Sequence, residues 1–117
     1  MPDHEKINYL EIPARDLTVT KSFFNTAFGW SFIDYGPEYA AFSNAGIDGG
    51  FFQSEQIMST LNGSALIVFY SEDLEQTQTR IEQAKGTILK AIFSFPGGRR
   101  FHFSDPNGNE YAAWSDH

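Results

Sequence analysis

Glu11, Gln53, Arg100 and His102 are the side chains of this 117-residue chain best placed to do chemistry, because each lies in a strand-like run of mostly apolar neighbours. Glu11 stands within Ile7-Asn8-Tyr9-Leu10-Glu11-Ile12. A carboxylate there must be paired, hydrated or functional, since burying a lone charge is costly. Arg99 or Arg100 is a candidate partner, and an unpaired Glu11 is a candidate base. His102 suits a general base or a lone metal ligand, and equally a hydrogen-bonded histidine of core or rim. Arg99-Arg100 follows Gly97-Gly98 and fits either a carboxylate ligand or the capping of a sheet edge. Tyr9 and Trp114 can stack on a ligand, or fill a core if the hydroxyl and indole N–H find partners. His4 and His117 lie near the termini and receive no role.

Other chemistries are excluded by type and spacing. The chain has no Cys, which removes disulfides, thiolate nucleophiles and Cys-ligated zinc. Gly97-Gly98 precedes a strand rather than a helix, so no phosphate-cradling loop exists. No Ser sits in a nucleophile elbow. Net charge is −7, and no basic run exceeds Arg99-Arg100, which argues against nucleic acid or an anionic membrane as partner. No run approaches the ~20 apolar residues of a membrane span. The start, Met1-Pro2-Asp3-His4-Glu5-Lys6, lacks the layout of a signal peptide, and the expected location is cytoplasmic.

The elements that must position these residues are written twice. Asp16-Leu17, Thr20, Ala27 and Gly29 recur as Asp73-Leu74, Thr77, Ala84 and Gly86, each pair 57 residues apart. Five identities in fourteen positions compare with about one expected from ordinary usage, and point to two similar halves. Each copy reads as a helix with an Asp N-cap, an apolar stripe and a Gly stop. A strand-like run precedes each helix, Ile7–Ile12 and Ala65–Tyr70. Three follow each: Trp30–Asp34, Tyr39–Ser43 and Gly50–Gln53, then Ile88–Phe93, Arg99–Ser104 and Glu110–Trp114. Strong turn residues separate them, including Gly36-Pro37 and Asp105-Pro106-Asn107-Gly108. Later in each half the match resumes at an offset of 61, Phe42-Ser43-Asn44 with Phe103-Ser104-Asp105. The expected organisation is one domain over 1–117, with module 1 at about 6–53, a linker at 54–64, and module 2 at about 65–115.

This pair of strand–helix–strand–strand–strand modules resembles the vicinal oxygen chelate superfamily, which holds glyoxalase I, bleomycin-resistance proteins, fosfomycin-resistance enzymes and extradiol dioxygenases. The residues carrying the resemblance are Ile7 through Leu17, the Phe23-Phe24…Phe28-Gly29-Trp30 segment, and Asp105-Pro106-Asn107-Gly108-Asn109 before the last strand. It implies an α+β fold in which two βαβββ modules form a curved eight-stranded mixed sheet with both helices outside. It also implies a homodimer, which would cover open sheet edges and aromatic surface.

Metal-dependent members place His, Gln or Glu ligands in strands one, four, five and eight. Carried over by counting from Asp16, Asp73 and Asp105, and by the offset of 61, those positions are Tyr9, Phe51, Leu66 and Ala112. None offers a carboxylate or imidazole, and a register slip to Asn8 or Leu10, Ala65 or Ile67, Tyr111 or Ala113 supplies no set either. The expectation is no metal at that site and no cofactor. Alternation along the strands sends Tyr9, Glu11, Phe51, Gln53, Arg100, His102 and Trp114 to the cup as ligand-binding candidates, with Glu11 and His102 the catalytic ones. The expected ligand is a small organic molecule. The acidic charge favours a cation, and Arg100 and His102 favour an anion. The expected function is binding without the usual metal, in the manner of bleomycin-resistance proteins. The alternative is a metal-dependent lyase of the lactoylglutathione-lyase type, with Glu11 as base.

Overall fold

Asp16 and Asp73 start the two helices, as their sequence copies require. The computed structural model describes residues 2–117. In it the Asp16 carboxylate accepts the Val19 N–H at 3.1 Å and the Asp73 carboxylate accepts the Gln76 N–H at 3.1 Å. Helix α1 spans Leu17–Phe28 and ends on Gly29 at φ 73°, the left-handed conformation that glycine adopts without strain. Helix α2 spans Leu74–Gln83. Its end departs from the expected glycine stop: Lys85 takes the left-handed turn, at φ 78°. Gly86 serves packing instead, since a Cβ there would lie 2.6 Å from Ile81 Cγ2 and 2.8 Å from Phe23 Cε1.

The strands are β1 (Tyr9–Ala14), β2 (Ser31–Asp34), β3 (Tyr39–Ser43), β4 (Asp48–Gln53), β5 (Ile67–Tyr70), β6 (Thr87–Phe95), β7 (Gly98–Ser104) and β8 (Glu110–Ser115). Hydrogen bonding divides them into two four-stranded mixed sheets of identical order, β1-β4-β3-β2 and β5-β8-β7-β6. In each, the first strand runs parallel to the last and the others pair antiparallel. Segment 54–64 holds one 3-10 turn, Thr60–Asn62. No described helix is long and apolar enough to cross a membrane.

One aromatic core joins the modules. Phe24 of α1 packs on Phe51 of the first sheet (5.3 Å between ring centroids) and on Tyr111 of the second (5.4 Å). Phe28 stacks on Phe69 at 4.4 Å, and Leu74 and Ile81 of α2 are buried in the same cluster. An apolar cavity of about 290 Å³ remains between β1 and β5, lined by Leu10, Ile12, Trp30, Phe42, Ile67 and Tyr111 among others.

The turn before β8 fastens module 2 to module 1. Asp105 holds it closed, accepting the N–H groups of Asn107 and Asn109 and the Tyr111 hydroxyl. Asn107 then donates to the Asp16 carbonyl and to Thr20 Oγ1, and accepts the Asp16 N–H. Asn109 donates to the Pro13 carbonyl and accepts the Met58 N–H. These bonds hold the turn of module 2 against α1 and β1 of module 1.

Candidate ligand-binding site

The helices cover one face of the two sheets, and strand alternation decides which side chains reach the other. Ile12, Phe101 and Phe103 are buried toward the helices. Tyr9, Val68, Tyr70 and Phe93 remain large and exposed on the open face, at 44%, 42%, 51% and 40%. Arg100, His102, Glu110 and Trp114 share that side of the second sheet, because β7 and β8 pair His102 with Ala112 and Arg100 with Trp114.

A polar chain runs through this second sheet. Glu110 and His102 are both 6% exposed, and Oε2 of Glu110 lies 2.9 Å from Nδ1 of His102. Oε1 of Glu110 accepts the Thr60 N–H at 2.9 Å and the Thr60 hydroxyl at 2.8 Å, and the Ser59 hydroxyl at 3.4 Å. Burial works against the Glu110 charge, but the bonds from His102 and Thr60 outweigh it and bring the carboxyl down to about 2.

On the other side of the ring, Nε2 of His102 lies 3.0 Å from Nη2 of Arg100. A guanidinium only donates, so Nε2 is the acceptor and Nδ1 carries the proton given to Glu110. His102 is thereby fixed as one neutral tautomer. Arg100 lies between Phe93 and Phe95, its Cζ 6.0 and 5.9 Å from their ring centroids. Its Nε is buried without a partner, and no described carboxylate pairs with it.

A second cluster lies on the first sheet. Tyr39 donates to Glu11 Oε2 at 2.9 Å, which leaves its oxygen to accept from Tyr9 at 2.6 Å. Burial, then the bonds to Tyr9 and Glu11, push the Tyr39 hydroxyl well above its ordinary range. Glycine at 50 makes room for this ring, since a Cβ there would lie 2.3 Å from the Tyr39 hydroxyl.

Several sequence expectations need correction. Phe51, placed on the cup, is fully buried against Phe24, Phe32 and Phe42. Gln53 shares its parity, lies at the far end of β4, and donates to the Arg15 carbonyl at 2.6 Å. The cause is a turn one residue shorter in module 1: Phe42 pairs with Gly49, whereas Phe103 pairs with Tyr111. The offset of 61 thus becomes 62 in the last strand, and every side chain changes face. Glu11 is exposed and bonded to Tyr39 rather than to Arg99 or Arg100. Arg99 pairs with Glu75 at 2.6 Å, and His117 donates to the Asp116 carboxylate and to the Glu72 carbonyl.

With that register corrected, the family's four ligand positions hold Tyr9, Gly50, Leu66 and Ala112. Only Tyr9 has a polar side-chain atom, and it is committed to Tyr39. Such a set does not fit Zn, Mn, Ni or Fe(II), which require several imidazole or carboxylate donors. No described cluster of three or more His, Asp or Glu is arranged to hold a metal.

Sequence reasoning overlooked Tyr39, Ser59 and Thr60. Tyr39 carried a signal, since it opens a strand whose alternate members Ala40 and Phe42 are core. Thr60 carried none: it lies in the aperiodic linker, and only the fold brings it to Glu110.

Comparison with known proteins agrees with this architecture. The model of the Glyoxalase/Bleomycin resistance protein/Dioxygenase superfamily matches residues 6–112. A glyoxalase-related enzyme from Fulvimarina pelagi superposes with a TM-score of 0.79 at 16% identity, over 95% of this chain and 88% of the other. The fosfomycin resistance protein FosX from Listeria monocytogenes gives 0.78 at 19%, over 95% and 93%. Lactoylglutathione lyase from Agrobacterium tumefaciens gives 0.70 at 19%, over 95% and 93%. At these identities the likeness concerns the fold. No curated protein sequence matches the chain.

Proposed function

The chain belongs to the Glyoxalase/Bleomycin resistance protein/Dioxygenase superfamily, and from that premise we propose that it binds a small organic molecule on the open face of its sheets without the family's usual metal. The observation carrying this reading is the occupancy of the four ligand positions by Tyr9, Gly50, Leu66 and Ala112. Aromatic rings (Tyr9, Phe93, Trp114) beside fixed polar groups (Glu11, Arg100, His102) are the usual makings of a small-molecule site. A second copy of the chain is the natural cover for this face, since Tyr9, Val68, Tyr70 and Phe93 would otherwise stay in water. Light scattering at micromolar concentration should give about twice 13 kDa, and a single 13 kDa species contradicts the dimer.

In this reading the binding residues orient and desolvate the ligand, and His102 with Glu110 can hold a proton at Nδ1 beside it. One thermal-shift plate carrying small organic molecules and divalent metals tests the proposal. Stabilisation by organic compounds alone supports it. Stabilisation by Ni or Zn, accompanied by turnover of the methylglyoxal–glutathione adduct, replaces it with a metal-dependent lyase.

A further inference from the structure

Among the described residues no carboxylate pairs with Arg100, a half-buried guanidinium in a chain of net charge −7. Among the described residues only Nη2 of its three nitrogens has a hydrogen-bond partner, and that partner is Nε2 of His102. Nε is buried and unbonded, whereas Nη1 is unbonded and not buried, so an arriving acceptor can reach Nη1. The flat faces of Phe93 and Phe95 on Arg100, with Trp114 across the ladder from it, suit an aromatic body. Resting on the proposal above, we infer that the ligand is an aromatic carboxylate whose anionic head docks on Arg100, beside the His102–Glu110 pair.

Charge favours an anion here over a cation. Arg100 and Lys90, the register neighbour of His102 on β6, each carry +1, and Glu110 carries −1. The arriving carboxylate brings that set to zero, and the guanidinium supplies a charge-assisted donor. Ser59 and Thr60 from the linker bring only uncharged donors to Glu110.

Isothermal titration of the intact protein with sodium benzoate, benzyl alcohol and benzylammonium tests this. Benzoate should bind, and benzyl alcohol and benzylammonium should bind at least about tenfold more weakly. Arg100→Met should weaken benzoate by about tenfold or more. Benzoate affinity unchanged in Arg100→Met overturns the inference and leaves the organic-ligand proposal standing. So does binding of benzyl alcohol or benzylammonium in place of benzoate. If none of the three binds, the inference fails, and the thermal-shift panel separately decides the broader proposal. The comparison of the three compounds on the wild type needs no variant, so a poorly folding substitution cannot shield the inference.

Discussion

Nδ1 of His102 lies 2.9 Å from Oε2 of Glu110, and both side chains are buried. This contact fixes the imidazole tautomer from one side while Arg100 fixes it from the other. It also ties the sheet to the linker, because the second Glu110 oxygen is held by Thr60.

Acid stability should therefore depend on Glu110. Its carboxyl sits at about 2, against 4.5 ordinarily. A lowered value adds stability that is present above about pH 4.5 and lost as pH falls through about 2, on the order of 3 kcal/mol. Urea denaturation of wild type and Glu110→Gln between pH 7 and pH 2.5 should show the wild type losing its advantage across that window. Parallel curves would mean that the charge contributes nothing.

Docking of the modules should depend on Asn109, which is fully buried and bonded to Pro13 and Met58. Asn109→Ala strands both partners and should cost about 3 kcal/mol. Asn62→Ala, which loses one exposed bond to the Ile57 carbonyl, should cost less than about 1 kcal/mol. Equal losses in chemical denaturation would refute the fastening role.

The end of α2 offers a paired test. Gly86→Ala pushes a methyl into Ile81 and Phe23 and should destabilise by about 1–3 kcal/mol. Lys85→Gly relieves a left-handed residue and should stabilise by up to about 1 kcal/mol. Melting temperatures that move together would contradict the division of labour between the two positions.

Purified protein analysed for metals by mass spectrometry should contain well under one transition metal per chain. Near-stoichiometric metal that disappears in Glu11→Gln or His102→Gln would reinstate a metalloenzyme by another donor set.

Helix caps, the order of elements along each module and the turn before the last strand were legible in the chain, because Asp16, Asp73 and Asp105-Pro106-Asn107-Gly108-Asn109 act through local hydrogen bonds. Arg100 and His102 were placed on the open face by alternation alone. Phe51 and Gln53 were misplaced because a repeat offset carries no warning of a turn shortened by one residue, and period-two strands turn that slip into a change of face. Glu11 was paired wrongly because Tyr39 satisfies it across β4, the strand that separates β1 from β3. The linker contacts to Glu110 were illegible, since no local pattern brings Thr60 to a residue fifty positions away.

Chemical-shift mapping of the labelled protein with benzoate near pH 6.5 most directly tests where and what this chain binds. The prediction is saturable shifts on Arg100, His102, Glu110 and the Trp114 indole, with the Trp30 indole unmoved. Shifts confined to Trp30, Leu10, Ile12 and Ile67 would put the ligand in the cavity between the modules and contradict a site on the open face.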